Sequence, residues 1–359
     1  MEQTLFLEEV KKYFPGIAQR TVERLNGSTQ PLTYMHRRFL TKSFAPDLKW
    51  TSASVSANIV AADVIAMDSS IPLKKRDSIG RADGNVPKMG MELALREKEL
   101  TDLDILALMP NQQAELVRRL FQDTPRVIQG VYETLEYMFL LGLSNGGVTV
   151  IADTNNEGTG VRIDYGFLAA NKKKALADAW SGSATPITDL KQLTDKARKD
   201  GSRITVFMMD ETTFQNMAKQ DEVKNLVAAS INFFGATIPI PTLQQVNNAV
   251  KGAFGWSIEI VDRSVTFEKN GVKTVLTPWV SGQVVGRTSD NLGTITWGRL
   301  AEMNHPVENV NYETVDDFIL VSKFRQNRPS LAEFTNSQAL VLPVINGTDS
   351  IYTLDTTTT

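Results

Sequence analysis

Residues 54–100 read SVSANIVAADVIAMDSSIPLKKRDSIGRADGNVPKMGMELALREKEL, and this stretch decides the fold. Two extended arms flank a polar tip, Lys74-Lys75-Arg76-Asp77-Ser78-Ile79-Gly80-Arg81-Ala82-Asp83-Gly84-Asn85. On the return arm Met89, Met91, Leu93 and Leu95 alternate with Gly90, Glu92 and Ala94. That is period two, one apolar face of a two-stranded ribbon extending over 54–106. A long lone hairpin is marginal in water and leaves its edges unpaired. A ribbon of this kind is expected to project and lie on the surface of another chain.

Working outward, the flanking sequence divides into further textures. Residues 1–53 begin with a short amphipathic helix, Leu5, Leu7, Val10 and Phe14 sharing one stripe that Pro15-Gly16 is expected to end. The rest of that segment, rich in Ser, Thr, Pro and scattered aromatics, reads as an arm laid over a surface. Residues 107–178 hold a long helix and a hairpin. Leu116, Leu120, Val127, Ile128, Val131, Leu135, Met138 and Phe139 recur at helical spacing, and Pro125 either kinks one helix or starts a second. Gly146-Gly147 closes that helix, and VTVIADTNNEGTGVRIDYGF reads as a β-hairpin turning near Asn155, Asn156 and Gly158. The run Lys172-Lys173-Lys174 is expected to be a solvated helix face.

From about 180 to 317 strands and helices alternate. RITVFMMD is an apolar strand, with Asp210 where an N-cap belongs before ETTFQNMAKQ. EVKNLVAAS and TLQQVNNAVKGAF read as helices, and Asn270-Gly271 as a hairpin turn within a β run. FILVSKFRQNRPSLAEFTNSQALVLPVI returns to strand texture. The expected fold class is α+β. Its expected divisions are an N-terminal arm (1–53), an extended β-loop (54–106), one domain from 107–179 and 318–359, and an inserted domain, 180–317.

Composition excludes several functions. The chain has 359 residues, 42% hydrophobic and 22% charged, which is ordinary globular texture. No apolar run is long enough to span a membrane, and the N-terminus lacks the pattern of a secretory signal. Cysteine is absent, which removes disulfide and thiol chemistry. A net charge of −3 excludes a globally basic nucleic-acid binder while leaving local basic patches open. The two histidines, His36 and His305, lie far apart and are read as structural or surface residues. No GxxxxGK[ST], GxSxG or HExxH is expected. Asp316-Asp317 is read as a solvated turn, and Asp210-Glu211 as a helix start. No catalytic residue, metal ligand or cofactor site is expected.

The tip cations Lys74, Lys75, Arg76 and Arg81 admit three readings: phosphate binding, a solvated tip, or docking on an acidic neighbour. The tip carries no aromatic on which a base could stack, and docking on a neighbour is the favoured reading.

Three segments together resemble the tailed-bacteriophage major capsid proteins of the capsid protein E family, to which the lambda head protein belongs. AMDSSIPLKKRDSIGRADGNVPKMGMELALREKEL is similar to that family's extended loop. The helix running into NGGVTVIAD is similar to its spine helix and following hairpin. ITVFMMDETTFQNMAKQDEVKNLVAAS followed by VTFEKNGVKTVLTPWVSGQVVG is similar to its second domain. The resemblance implies a shell subunit with a peripheral domain formed by 107–179 and 318–359 and an axial domain formed by 180–317. Such subunits form hexamers and pentamers of an icosahedral head around double-stranded DNA, which is not read by sequence. It implies no cofactor and no enzyme activity, and inter-subunit contacts through Lys74, Lys75, Arg76, Arg81, Met89, Met91, Leu93 and Leu95. It also implies a scaffolding protein, a portal and a decoration protein as partners, assembly in the host bacterial cytoplasm, and a place in the virion. The cross-linking Lys and Asn positions of some relatives have no match here. An encapsulin-like nanocompartment shell and a soluble α/β enzyme with a long β-arm are the alternatives.

Overall fold

The computed structural model describes residues 1–25, 34–54, 80–152, 154, 160–233, 235 and 238–357. The first elements are α1 (Leu7–Arg24), α2 (Met35–Phe39), β1 (Leu40–Phe44) and β2 (Lys49–Ser54). Next come β3 (Gly80–Asn85), β4 (Lys88–Arg96), α3 (Glu97–Leu108), α4 (Gln113–Leu120) and α5 (Asp123–Ser144). The middle of the chain holds β5 (Val148–Ile151), β6 (Val161–Asp164), β7 (Lys172–Lys174), α6 (Pro186–Lys199), β8 (Val206–Met209), α7 (Glu211–Ala218) and α8 (Asp221–Ser230). Then follow α9 (Leu243–Phe254), β9 (Ser257–Ile260), β10 (Val265–Lys269), β11 (Val272–Leu276), β12 (Gln283–Arg287) and β13 (Gly293–Gly298). The chain closes with α10 (Ala301–Asn304), β14 (Asn311–Val315), β15 (Ile319–Gln326), β16 (Ala332–Ile345) and β17 (Ile351–Asp355). The mixture of helix and strand is α+β.

Two compact units share these elements. The first comprises Met1–Trp50, Gly84–Glu136 and Thr294–Pro343; the second comprises Thr51–Asp83, Tyr137–Gly293 and Val344–Thr359. These limits differ from the divisions read from sequence texture. Residues 294–317 join the first unit, because β13 and β14 are strands of its sheet, while 137–179 and 344–359 join the second, whose sheet holds β7 and β17.

In the first unit the sheet order is β1-β13-β16-β15-β14, with β4 also on β16. Strand β15 is buried from Ile319 to Phe324, with Ser322 and Lys323 buried among its apolar residues. Helix α1 does not stop at Pro15. It runs on to Arg24, because Val10, Phe14, Ala18 and Val22 form one buried stripe. Packing of that stripe outweighs the ~3 kcal/mol that an interior proline costs a helix. Pro125 resolves the other way: α4 ends at Leu120 and α5 starts at Asp123, so this proline lies in a first turn, where its missing N–H costs nothing.

In the second unit the sheet order is β7-β17-β12-β8-β9, covered by α6, α8 and α9. Its core gathers Trp180, Leu190, Phe207, Phe214, Val250 and Tyr352. Helix α9 opens on a capping box between Thr242 and Gln245 and closes on Gly255 at φ 81°. Strands β10 and β11 turn at Asn270 (φ 51°) and Gly271 (φ 77°), the double left-handed pair that an Asn-Gly turn requires. Strands β5 and β6 form the expected hairpin, while Asn155, Asn156 and Gly158 lie outside the described residues. Lys172–Lys174 are not a helix face. They are β7, paired in parallel with Thr353–Asp355, with the Lys172 ammonium donating to Gly146 O at 2.8 Å.

Candidate assembly surfaces and buried charges

The return arm of the ribbon is a strand of the first unit's own sheet. β4 pairs antiparallel with β16 from Lys88↔Leu340 to Arg96↔Ala332. The same β16 residues, Ala332–Ala339, pair with β15, so β4 and β15 flank β16 on opposite edges. The alternation in the sequence is real. Leu95 is buried (5% exposed), Met89 and Leu93 are half-buried, and Met91 remains 37% exposed. Met91 lies on α5: a Cβ added at Gly130 would fall 2.6 Å from its sulfur. Part of the apolar face is therefore satisfied inside the subunit, and residues 88–96 of the expected ribbon lie in its own sheet rather than projecting. Lys74, Lys75 and Arg76 lie outside the described residues, as does the side chain of Arg81, whose backbone belongs to β3. β3 pairs with β2.

Buried charge in the first unit was not anticipated. Lys323 on β15 is fully buried. Its ammonium donates to Leu120 O (3.1 Å) and Thr335 Oγ1 (3.0 Å) and lies 5.6 Å from the Phe121 ring centroid. It thus caps the end of α4, where carbonyls lack helical partners. Burial pushes the Lys323 ammonium down to about 8, against the opposing pull of Glu333 and Asp123. Glu333, equally buried, accepts from the Thr4 hydroxyl and from Leu5 N (3.4 Å). Glu2 pairs its backbone with Arg325 in both directions, at 2.8 and 3.0 Å. The N-terminal residues are therefore fastened to β15 and β16.

A second network ties α2 and the β14–β15 turn to α5. Glu136 accepts from Met35 N (2.9 Å), His36 N (3.0 Å) and His36 Nδ1 (2.6 Å), and both Glu136 and His36 are fully buried. Asp316 and Asp317 are a turn, at φ 54° and 73°; Asp317 is exposed, whereas Asp316 is mostly buried. It accepts from Tyr132 Oη at 2.5 Å and from Lys42 Nζ at 2.6 Å, and Lys42 also reaches Asp317 at 2.7 Å. Burial, then the Asp316 charge, pushes the Tyr132 phenol up. Burial alone would lower Lys42, but its hydrogen bonds to Asp316 and Asp317 raise it.

These groups are paired with one another rather than converging on open space. Among the described residues no cluster of His, Asp and Glu could hold a metal. His305 is exposed just beyond α10. Asp210 stands at the N-cap position of α7, but its carboxylate accepts from the hydroxyls of Thr213 and Ser281 rather than from a helix N–H. Gly142-Leu143-Ser144-Asn145-Gly146 has the Gly-x-Ser-x-Gly spacing of a serine nucleophile, contrary to the expectation that no such motif occurs. That motif needs an exposed serine on a strand-to-helix turn. Ser144 instead ends α5, is buried, donates to Leu140 O (3.0 Å) and accepts from Val280 N (3.0 Å). No described helix is long and apolar enough to cross a membrane.

A family model described as phage major capsid protein E matches residues 58–323, most of the chain, from within the extended β-loop to β15. The chain belongs to that family. This capsid protein is a structural subunit of the virion shell, not an enzyme. Solved structures agree in fold. A proposed capsid protein of a prophage of E. coli CFT073 matches with a TM-score of 0.56 at 12% identity, over 94% of this chain and 97% of that one. A phage-related protein of Bordetella bronchiseptica RB50 matches with a TM-score of 0.52 at 11% identity, over 96% and 97%. No curated protein matches the capsid chain in sequence. With a shell as the function, its polar networks are fittings that hold each unit's shape, and its exposed surfaces become the places to look for function.

Proposed function

We propose that this capsid protein assembles into hexamers and pentamers that tile an icosahedral head around double-stranded DNA. Assembly takes place in the host bacterial cytoplasm, with a scaffolding protein, a portal and a decoration protein as partners. The extended loop supplies the contact between subunits through Lys74, Lys75, Arg76 and Arg81. Met89, Met91 and Leu93, which keep exposed area on β4, extend that contact, while Leu95 serves the subunit's own core. The observation that carries this reading is the family match from residue 58 to 323, which includes nearly all of the loop. A heterologous contact of this kind, repeated by rotation, closes into rings. Electron microscopy of the purified full chain, and of particles from phage-producing cells, tests it. Closed shells with five- and six-fold clusters, filled with DNA in the cell-derived particles, are expected. Discrete monomers at all concentrations, or shells that enclose a protein cargo and no DNA, would overturn it.

A further inference from the structure

Large apolar side chains with exposed area are scattered over the described surface, but three crowd the last turn of α3. Leu108 is 87% exposed, Met109 49% and Ile105 48%. Positions 105, 108 and 109 are spaced i, i+3 and i+4, so they share one helical face. The opposite face is used within the first unit, where Leu100 and Leu103 are buried and α3 packs on α4. The exposed stripe is also acidic. Asp104 stands one turn before Leu108 and Asp102 one turn before Ile105, both exposed. From residue 99 to 117 the chain has Glu99, Asp102, Asp104 and Glu115 and neither Lys nor Arg. Glu99 is committed to Arg96 N (2.9 Å) and Glu115 to Arg118 and Arg119, while Asp102 and Asp104 flank the stripe.

The chain contains one segment with the complementary pattern. Residues 65–76, IAMDSSIPLKKR, place Ile65, Met67, Ile71 and Leu73 directly before Lys74, Lys75 and Arg76. The segment lies between β2 and β3, whose pairing fixes both of its ends. Residues 55–79 can span at most about 40 Å out and back, comparable to the width of one compact unit.

We propose that the exposed face of α3 is the receiving surface on which residues 65–76 of a second copy of this chain dock. The apolar residues of that segment cover Ile105, Leu108 and Met109, and its three cations meet Asp102 and Asp104. The inference rests on the shell reading above and deepens it by naming where the loop lands. Burial of the apolar stripe supplies the affinity, and the charges set register and exclude wrong neighbours.

A charge-swap experiment on the full chain tests it. One variant carries Asp102→Lys and Asp104→Lys; the other carries Lys74→Glu, Lys75→Glu and Arg76→Glu. Each alone is expected to raise the concentration needed for shell assembly about tenfold or more, the effect of roughly one lost apolar or ionic anchor. Circular dichroism should be unchanged, because Asp102 and Asp104 are exposed. An equimolar mixture of the two should restore six-membered rings, in which the variants alternate and each loop finds a matching face, while a five-membered ring keeps at least one mismatched pair. Leu108→Ser, which changes no charge, should weaken assembly to a similar extent. If the chain bearing all five changes assembles but the mixture forms no six-membered rings, the loop reaches its own α3 and the proposal falls. If the single-sign variants assemble like the unaltered chain, α3 is not the receiving surface, although the shell reading stands. If the unaltered chain forms no shell, that reading falls and takes this inference with it.

Discussion

Replacing Lys323 with Met should abolish a specific rise of stability with pH. The ammonium is fully buried, and burial lowers it from 10.5 to about 8. In the unfolded chain it returns to 10.5. Below pH 8 both states carry the proton, and folding bears the whole cost of burying the charge. Between pH 8 and 10.5 the unfolded state binds more protons than the folded one, so stability rises with pH. The drop corresponds to about 3 kcal/mol, of which about 2.5 kcal/mol should be gained by pH 10. Absolute stability at pH 7 is a poor readout. Lys323→Met removes the burial cost but leaves Leu120 O, Thr335 Oγ1 and the Glu333 charge without their partner, at about 1–3 kcal/mol for each unmet group. The slope is the clean one. Urea unfolding of the unassembled subunit, at protein concentrations below those of assembly, should be followed from pH 7 to pH 10 for the unaltered chain and the variant. Their difference should grow in favour of the unaltered chain, by roughly the amount stated. A difference that stays flat over this range would show that Lys323 keeps its proton, held by Glu333, and would refute the argument.

Two further changes probe the second unit. Asp189 is fully buried on α6 and accepts from Trp180 Nε1 (2.7 Å) and Leu176 N (2.8 Å), so Asp189→Ala should cost about 2–4 kcal/mol in unfolding free energy. Red-shifted tryptophan emission should accompany the loss, and an unchanged unfolding midpoint would count against it. Gly147 has φ 91°, and a Cβ there would fall 2.4 Å from the Phe167 ring, so Gly147→Ala should destabilise by about 2 kcal/mol or more, measured by thermal unfolding. A midpoint within a degree of the unaltered chain would show that Phe167 yields freely.

The readings that succeeded rest on local chemistry. Asn270-Gly271 marks a turn because only such residues enter two left-handed positions in succession, and β10 and β11 pair around it. The alternation of Met89, Met91, Leu93 and Leu95 marks a strand with one apolar face, and β4 is that strand. Alternation reports that a face is covered, not what covers it. The same period two arises whether the cover is a neighbouring subunit or α5 of the same chain, and β4's hydrogen-bonding partner lies in β16, far along the sequence. Long-range pairing also explains the misread Lys172–Lys174. A short strand seated in parallel on Thr353–Asp355 needs only its backbone for the ladder, and lysine is a residue that edges carry. Lys323 did leave a trace, a lone cation inside the apolar run FILVSKF, where every neighbour is a core residue. Such a lysine cannot reach water, so it requires an acceptor within the fold, and the end of α4 supplies one. The same logic, turned outward, distinguishes α3. A buried charge must find its partner inside the subunit. An exposed apolar turn such as Ile105–Met109 finds no such cover among the described residues, which is the ground for proposing it as a landing surface for another copy of the chain.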